Sequence, residues 1–319
     1  MKNHPLCGWI FITLIMSEKK QNRKKNKTSF AVCILSALLV IAGLCVFCYP
    51  VVSNMLEERN HTEAVNRYDE DMMSKTKAEI SAEKQKAEEY NENLAGDPVH
   101  DPFVPGSGYA LPDNYTEVLN TGGDGVMGYI EIPKISVKLP IYHGTSEQTL
   151  QKGVGHIEST ALPIGGEGNH PVLTGHTGLP TAELFTNLVT LSVGDEFYIH
   201  VLDETLAYRV CEINVVEPSE LEKLQAEDGK DLVTLVTCTP YGVNSHRLLV
   251  KGERTEYNPE KAAQTENKTG FYTKYKYYII GIAISFPILI LIGVLTYLYS
   301  KKRTRKAEKN EQGKDAKKE

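Results

Sequence analysis

Two long apolar runs constrain this chain most, because neither suits the core of a small domain. Phe30–Val52 and Tyr277–Ser300 contain no charged residue, and as a helix the second would be about 36 Å long. Each is long enough to span a bilayer, whereas core helices seldom stay apolar on every face for such a length. We therefore predict two transmembrane helices with a globular region between them.

The charges that flank the two runs indicate their orientation. Six Lys or Arg lie between Ser17 and Lys27, and nine lie between Lys301 and Glu319. Basic residues accumulate on the cytoplasmic side of a membrane, so we expect a two-pass cell-membrane protein with both termini in the cytoplasm and its middle outside. Leu6–Met16 is too short to span, and we expect residues 1–15 to be an upstream mis-start.

The charge between the tails excludes one class of partner. Residues 28–300 carry 19 Lys and Arg against 36 Asp and Glu. Such an acidic surface argues against binding to nucleic acid.

The external region holds two of the six cysteines, Cys211 and Cys238. Outside a cell such a pair could form a disulfide. Cys211 lies in the middle of a strand pattern that favours a packed cysteine, whereas the neighbourhood of Cys238 suggests chemistry.

Two segments precede the globular domain. Residues 53–96 are rich in Glu, Lys and Ala and contain no Pro, which predicts a helical extension. Its apolar stripe is weak, so a solvated stalk and a helix packed on the domain both remain open. Gly96–Asn114 contains four prolines and predicts a long loop, either a linker or a functional lid.

The region from Gly128 to Arg254 has the pattern of a β domain. Short β-branched or aromatic runs alternate with turns rich in Gly, Pro and Asp. This pattern predicts a small barrel or sandwich.

Three residues of this domain form a candidate catalytic group. Cys238 ends a strongly β-forming run, His176 stands in a turn between Gly175 and Gly178, and Arg247 follows Cys238 at a spacing that suits the facing strand of a hairpin. A cysteine attacks as thiolate, a histidine transfers the proton, and a fixed cation stabilises an oxyanion. The residues therefore point to acyl transfer.

The same residues resemble the signature of the sortase family. Thr234-Leu-Val-Thr-Cys matches that family's Thr-Leu, any residue, Thr-Cys motif, and the His176 turn and the Arg247 strand match its other two catalytic residues. The similarity extends from about Gly128 to Glu253. It implies a mainly β fold, a sortase-type closed barrel of about eight strands with short helices, and a cysteine transpeptidase that forms an acyl-enzyme thioester. Cys238 would be the nucleophile, His176 the acid/base, Arg247 the stabilising cation, and Thr237 a supporting residue.

Two features resemble the class C sortases, which polymerise pilins. One is the second apolar span, and the other is Asp101-Pro102-Phe103 in the long loop. The resemblance implies that Asp101 and Phe103 form a lid over the cysteine and histidine. It also implies cleavage of a Leu-Pro-x-Thr-Gly-type sorting signal between Thr and Gly, and transfer of the acyl group to a lysine amine of a pilin subunit during pilus assembly.

We expect no cofactor and no metal. His143, His156 and His170 lack the spacing of a zinc site, and surface or hydrogen-bonded histidines are expected instead. His246 alternates to the opposite face from Arg247 and is not counted as catalytic.

The predicted organisation has eight segments. They are a basic cytoplasmic tail (1–29), a transmembrane helix (30–52), a helical extension (53–96), the lid loop (97–115), the catalytic domain (116–256), a linker (257–276), a second transmembrane helix (277–300) and a basic cytoplasmic tail (301–319).

Two other functions remain open from the residues alone. A cysteine hydrolase would use the same thiol and imidazole, but water would resolve the acyl-enzyme. A non-catalytic adhesive ectodomain would carry Cys238 as a structural residue.

Overall fold

The computed structural model contains two long helices followed by a closed barrel. It describes residues 6–94, 114–220 and 222–266, and scattered positions between 276 and 305. The helices are α1 (Leu6–Ser74), α2 (Lys77–Asn93), α3 (Glu147–Lys152) and α4 (Pro259–Glu266). The strands are β1 (Val126–Ile132), β2 (Val137–His143), β3 (Val154–His156), β4 (Val172–Thr174), β5 (Glu196–Val201), β6 (Glu204–Val216), β7 (Leu232–Thr239) and β8 (His246–Thr255). Short 3-10 helices cover Pro133–Ile135, Thr186–Thr190 and Glu222–Leu224.

The chain divides into two compact units, residues 1–257 and 258–319. The first contains the barrel together with α1, α2 and α3. The second contains α4.

The eight strands close in the order β1-β2-β3-β4-β7-β8-β6-β5. The pairs β2–β3 and β4–β7 are parallel and the other pairs are antiparallel. Closure leaves no exposed sheet edge. Of the two architectures that the strand pattern allowed, the barrel is confirmed, and so is the predicted number of strands.

Strand β7 lies at the centre of the packing. Its residues from Leu232 to Cys238 are all buried, because its two faces contact two different apolar clusters. Val233 and Leu235 belong to the main core, and Val236 belongs to a second cluster with Val172 and Leu249. A strand buried on both faces reads as a continuous apolar run, which is the pattern that the sequence shows here.

The helical extension consists of two helices that meet at Thr76. The Thr76 hydroxyl accepts a hydrogen bond from the Glu79 backbone N–H at 3.3 Å, and the Glu79 carboxylate accepts one from the Thr76 N–H at 2.7 Å. This reciprocal capping box starts α2. The boundary occurs without any Pro or Gly.

Both helices pack on the barrel, which decides between the packed helix and the solvated stalk. The buried Tyr68 hydroxyl of α1 donates to the carbonyl of Met127 at 3.1 Å and accepts from the N–H of Leu202 at 2.7 Å. On α2, the Asn91 side chain donates to the Leu162 carbonyl and accepts from the Leu162 N–H. The extension is therefore fixed to the domain by polar contacts as well as by apolar burial.

One stretch among the described helices, Ile41–Ser74, is long and apolar enough to cross a bilayer. In the apolar first part of this stretch the side chains are exposed, since Val46 is 75% exposed and Ile41 is 56% exposed, whereas Val65, further along, packs in the core. Residues 277–300 are described only at scattered positions. The second predicted span therefore stays a prediction.

Candidate active site

Cys238 lies near the end of β7, where the ladder of that strand stops. Its side chain is 8% exposed, and its partner across the antiparallel β7–β8 pair is Arg247. Side chains of directly opposed residues lie on the same face with Cβ atoms about 5 Å apart. The hairpin register predicted from the sequence is present, and it places a thiol beside a guanidinium.

The turn between β7 and β8 holds the Arg247 side chain. The guanidinium Nη1 donates to the carbonyls of Asn244 and His246 at 3.3 and 3.2 Å. Asn244 has φ of +58°, a left-handed conformation that asparagine tolerates better than most residues, and its N–H donates to the Pro240 carbonyl at 2.9 Å. The backbone of the turn thereby orients the guanidinium, which is 6% exposed as a residue.

His176 is carried by the segment that follows β4, next to β7 in the barrel. Thr174 pairs with Val236 in the parallel ladder, and the Gly175 N–H continues it by donating to the Val236 carbonyl at 3.1 Å. The buried Thr237 hydroxyl donates to the Gly175 carbonyl at 2.7 Å. The same register brings His176 level with Cys238. The chain thus gathers the three predicted residues at one end of the adjacent strands β4, β7 and β8.

The turn that carries His176 is closely packed. Gly178 has φ of +74°, and a Cβ at this position would lie 3.1 Å from the Tyr241 ring. A Cβ on Gly175 would lie 2.9 Å from the Phe185 ring. Glycine is therefore favoured at position 178 by conformation and at position 175 by space, since the Phe185 ring is fully buried. The result is a histidine on a rigid turn.

Sequence reasoning missed one residue at this site, Glu147. Its Oε2 atom lies 3.6 Å from Nε2 of His176. Glu147 is in the first turn of α3, and no motif in the sequence links it to the histidine turn. Only the packing of α3 beside β3 could reveal the contact.

Two other histidines are buried and hydrogen-bonded. His156 Nε2 lies 2.8 Å from the Ala161 carbonyl, and Nδ1 lies 3.0 Å from the Tyr115 hydroxyl. Since a carbonyl only accepts, His156 carries its proton on Nε2. Burial lowers its pKa to about 4, so this ring is neutral and structural.

His170 shows the opposite tautomer. Its Nδ1 lies 2.7 Å from the Gln225 carbonyl, and its Nε2 lies 2.7 Å from the Thr234 hydroxyl. Burial lowers its pKa to about 4 as well.

In the part of the chain that the structure describes, no group of three or more His, Cys, Asp or Glu is arranged to hold a metal ion.

Cys211 differs from the packed cysteine that its strand pattern favoured. It is exposed, because it sits where the β6–β8 register shifts between Val210 and Glu212. Its thiol donates to the Lys251 carbonyl at 3.4 Å, and the loss of part of the solvent around the sulfur raises its pKa although the residue as a whole is exposed. Cys211 and Cys238 are thiols and do not form a disulfide.

The predicted lid residues, Asp101 and Phe103, lie outside the described residues. Their role stays a prediction. The chain on either side is described up to Leu94 and again from Asn114.

The arrangement suits acyl transfer. A thiol on β7, an imidazole on the turn after β4 and an oriented guanidinium on β8 lie at one end of the barrel. Groups of these three types can supply a nucleophile, a proton carrier and a donor for a developing oxyanion.

Comparison with known proteins gives a consistent answer. Residues 130–255 match the family of the Sortase domain. The chain is 32% identical to sortase A of Bacillus anthracis over 153 residues, which cover 47% of this chain and 70% of that protein. It is 27% identical to sortase A of Staphylococcus aureus over 221 residues, which cover 68% of this chain and 90% of that protein.

The sequence identity to two solved structures is higher than the identity to these two sortases A. The chain is 44% identical to sortase C of Streptococcus pneumoniae, a crystal structure described for catalysis and pilin substrate specificity, with 61% of this chain and 97% of that one covered and a TM-score of 0.57. It is 50% identical to sortase C-1 of Actinomyces oris, with 56% and 99% covered and a TM-score of 0.54.

Proposed function

Because this chain belongs to the sortase family and is a cysteine transpeptidase, we propose that it polymerises pilins as a class C sortase does. It would cleave a Leu-Pro-x-Thr-Gly-type sorting signal between Thr and Gly and join the acyl product to a lysine amine of a pilin subunit. The similarity to sortases C, at 44% and 50% identity against 32% and 27% for sortases A, supports this subtype.

The single observation that carries the proposal is the pairing of Cys238 with Arg247 beside the His176 turn. The Cys238 thiolate attacks the threonine carbonyl carbon, and the carbonyl oxygen becomes an oxyanion. Arg247 stabilises that charge, because its guanidinium is oriented before the reaction begins. Thr237 supports the site by fixing the turn that carries His176.

Proton transfer completes the two half-reactions. As the tetrahedral intermediate collapses, the Thr–Gly bond breaks and His176 gives its proton to the departing glycine amine. This leaves a thioester between the threonine carbonyl and Sγ of Cys238. A lysine amine then attacks the thioester, His176 takes a proton from that amine, and the new isopeptide bond forms as the thiolate departs.

The protein would act at a membrane. The candidate span in α1, the uncharged run at residues 277–300 and the basic residues beyond the two apolar runs support a two-pass topology. In this topology the barrel lies outside and both termini lie in the cytoplasm. Asp101 and Phe103 would form a lid over the site, a proposal that rests on the sequence resemblance.

A mass-spectrometric assay tests the function. The full chain in detergent is incubated with a Leu-Pro-Glu-Thr-Gly peptide and a lysine-containing acceptor peptide. We expect a product joined through an isopeptide bond, no product with Cys238→Ala, and near wild-type yield with Cys211→Ala as the matched cysteine control. A product that arises only from water would indicate a hydrolase, and unchanged activity of Cys238→Ala would refute the nucleophile.

A further inference from the structure

The imidazole of His176 has an acidic neighbour with no role in the mechanism above. Oε2 of Glu147 lies 3.6 Å from Nε2 of His176, and the two side chains are 67% and 18% exposed. We propose that Glu147 is a positioning residue that stabilises the protonated, acid form of His176. This inference rests on the proposed role of His176 as the proton carrier.

The local structure of α3 holds the carboxylate toward the ring. Gln151, one helical turn later, donates from Nε2 to Oε1 of Glu147 at 3.0 Å. The Ser146 hydroxyl caps the helix by accepting from the Thr149 N–H at 3.1 Å, and Leu150 anchors the helix with a side chain that is 1% exposed. One carboxylate oxygen is thus bound within the helix, while the other faces His176.

The contact favours a particular protonation state and tautomer. A carboxylate beside Nε2 stabilises a proton on that nitrogen. The imidazolium, which carries a proton on each ring nitrogen, is the form that can protonate the departing amine. If the carboxylate keeps the proton on Nε2 in place, the proton on Nδ1 is the one that is transferred. Glu147 would therefore raise the fraction of enzyme that is ready to break the Thr–Gly bond.

The titratable and charged groups on the neighbouring elements are Cys238 on β7, Arg247 on β8, Tyr241 in the turn between these strands and Glu183 in the loop after His176. The Arg247 cation opposes a proton on His176, whereas a Cys238 thiolate favours it. Because the Glu147 side chain is largely exposed, its own effect should be moderate and should weaken at high salt.

The test is the pH dependence of the full-length enzyme in detergent. In Glu147→Gln, the limb of the kcat/KM profile that reports the proton carrier should move to lower pH, because the carboxylate that favours the charged form has been removed. The fall should appear in kcat, about three-fold, with KM little changed. Glu147→Lys should move the same limb further, because it places a positive charge beside the ring, and this larger movement identifies the limb that reports His176. High salt should shift the wild-type limb toward that of Glu147→Gln and leave the variant unaffected.

The control carboxylate is Glu167, which lines a cavity near Asp231, where β7 begins. That end of the strand is about 23 Å from Cys238 along the backbone. Glu167→Gln should leave the pH profile unchanged. Thermal unfolding of both variants should match the wild type, because both side chains are on the surface.

A second readout does not depend on transpeptidation. The rate at which iodoacetamide alkylates Cys238 is followed by peptide mass spectrometry across the same pH range. An imidazolium stabilises a neighbouring thiolate, so Glu147→Gln should slow labelling near neutral pH by about two- to three-fold.

The outcomes separate the inference from the function. Overlapping pH and alkylation profiles for wild type and Glu147→Gln would overturn the inference and leave the function intact. Loss of transfer to the acceptor amine alone, with peptide hydrolysis retained, would also overturn it, because Glu147 would then bind the acceptor. A wild-type enzyme that cleaves no sorting peptide would refute the function, and alkylation would still decide the inference.

Discussion

Acidification should destabilise the barrel through His170, because this ring is buried in its neutral form. His170 is 3% exposed, and burial lowers its pKa from an ordinary value of 6.5 to about 4. The unfolded chain therefore binds a proton at a higher pH than the native state does. The stabilisation is fully present above about pH 6.5 and is lost progressively as the pH falls toward 4.

The size of the effect follows from the two pKa values. Between pH 7.5 and pH 5, linkage gives a loss of about 2 kcal/mol from this one group. Typical domains have a free energy of unfolding of roughly 5–15 kcal/mol, so the loss should be easy to measure. Asparagine in place of His170 can still donate to the Gln225 carbonyl as Nδ1 does, but it does not titrate.

Urea unfolding at the two pH values provides the measurement. A suitable protein is residues 54–275, since the crystallised sortase C of Streptococcus pneumoniae is matched over 97% of its length by 61% of this chain. The wild type should lose about 2 kcal/mol more than His170→Asn on acidification. His246→Asn is the matched control, because that ring is partly exposed. Equal losses in wild type and His170→Asn would refute the reasoning.

Three further predictions concern separate parts of the molecule. Arg247→Lys should lower transpeptidation by about 3 kcal/mol of transition-state stabilisation with little change in folding, since an ammonium cannot reproduce the oriented fork of a guanidinium; wild-type turnover would show that only charge matters. Tyr68→Phe should lower the free energy of unfolding by about 1–3 kcal/mol, because two buried backbone groups lose their hydroxyl partner, and an unchanged urea midpoint would contradict the assigned contacts. Replacing both Asp101 and Phe103 by alanine should speed labelling of Cys238 by a thiol reagent; no increase would mean that the loop is a plain linker.

The candidate catalytic residues could be predicted because their signals are local. Cys238 ends a run that is apolar on both faces, and Arg247 follows at hairpin spacing, so one short stretch of sequence contains both the strand and its partner. Glycines on either side mark the His176 turn. Each residue was recognisable without knowing which strands meet across the barrel.

The contacts that escaped prediction depend on packing between distant segments. Glu147 reaches His176 only because α3 lies against β3, and the sequence between them gives no sign of it. The packed extension was equally hard to predict, because buried tyrosines such as Tyr68 and Tyr90 weaken an apolar stripe while forming much of the contact. The start of α2 did carry a signal, since Thr76 and Glu79 have capping-box spacing.

If α1 anchors the protein as proposed, its path has a geometric consequence for a substrate held in the same bilayer. From Val52, the last residue of the apolar run, to Val65, which is buried in the barrel core, the helix rises about 20 Å. Between these two residues the helix contains no Pro or Gly, so it spaces the barrel from the end of the apolar run by that rise. A substrate anchored in the same bilayer would need about six extended residues to span that height, so a shorter tether would not reach the level at which the barrel begins.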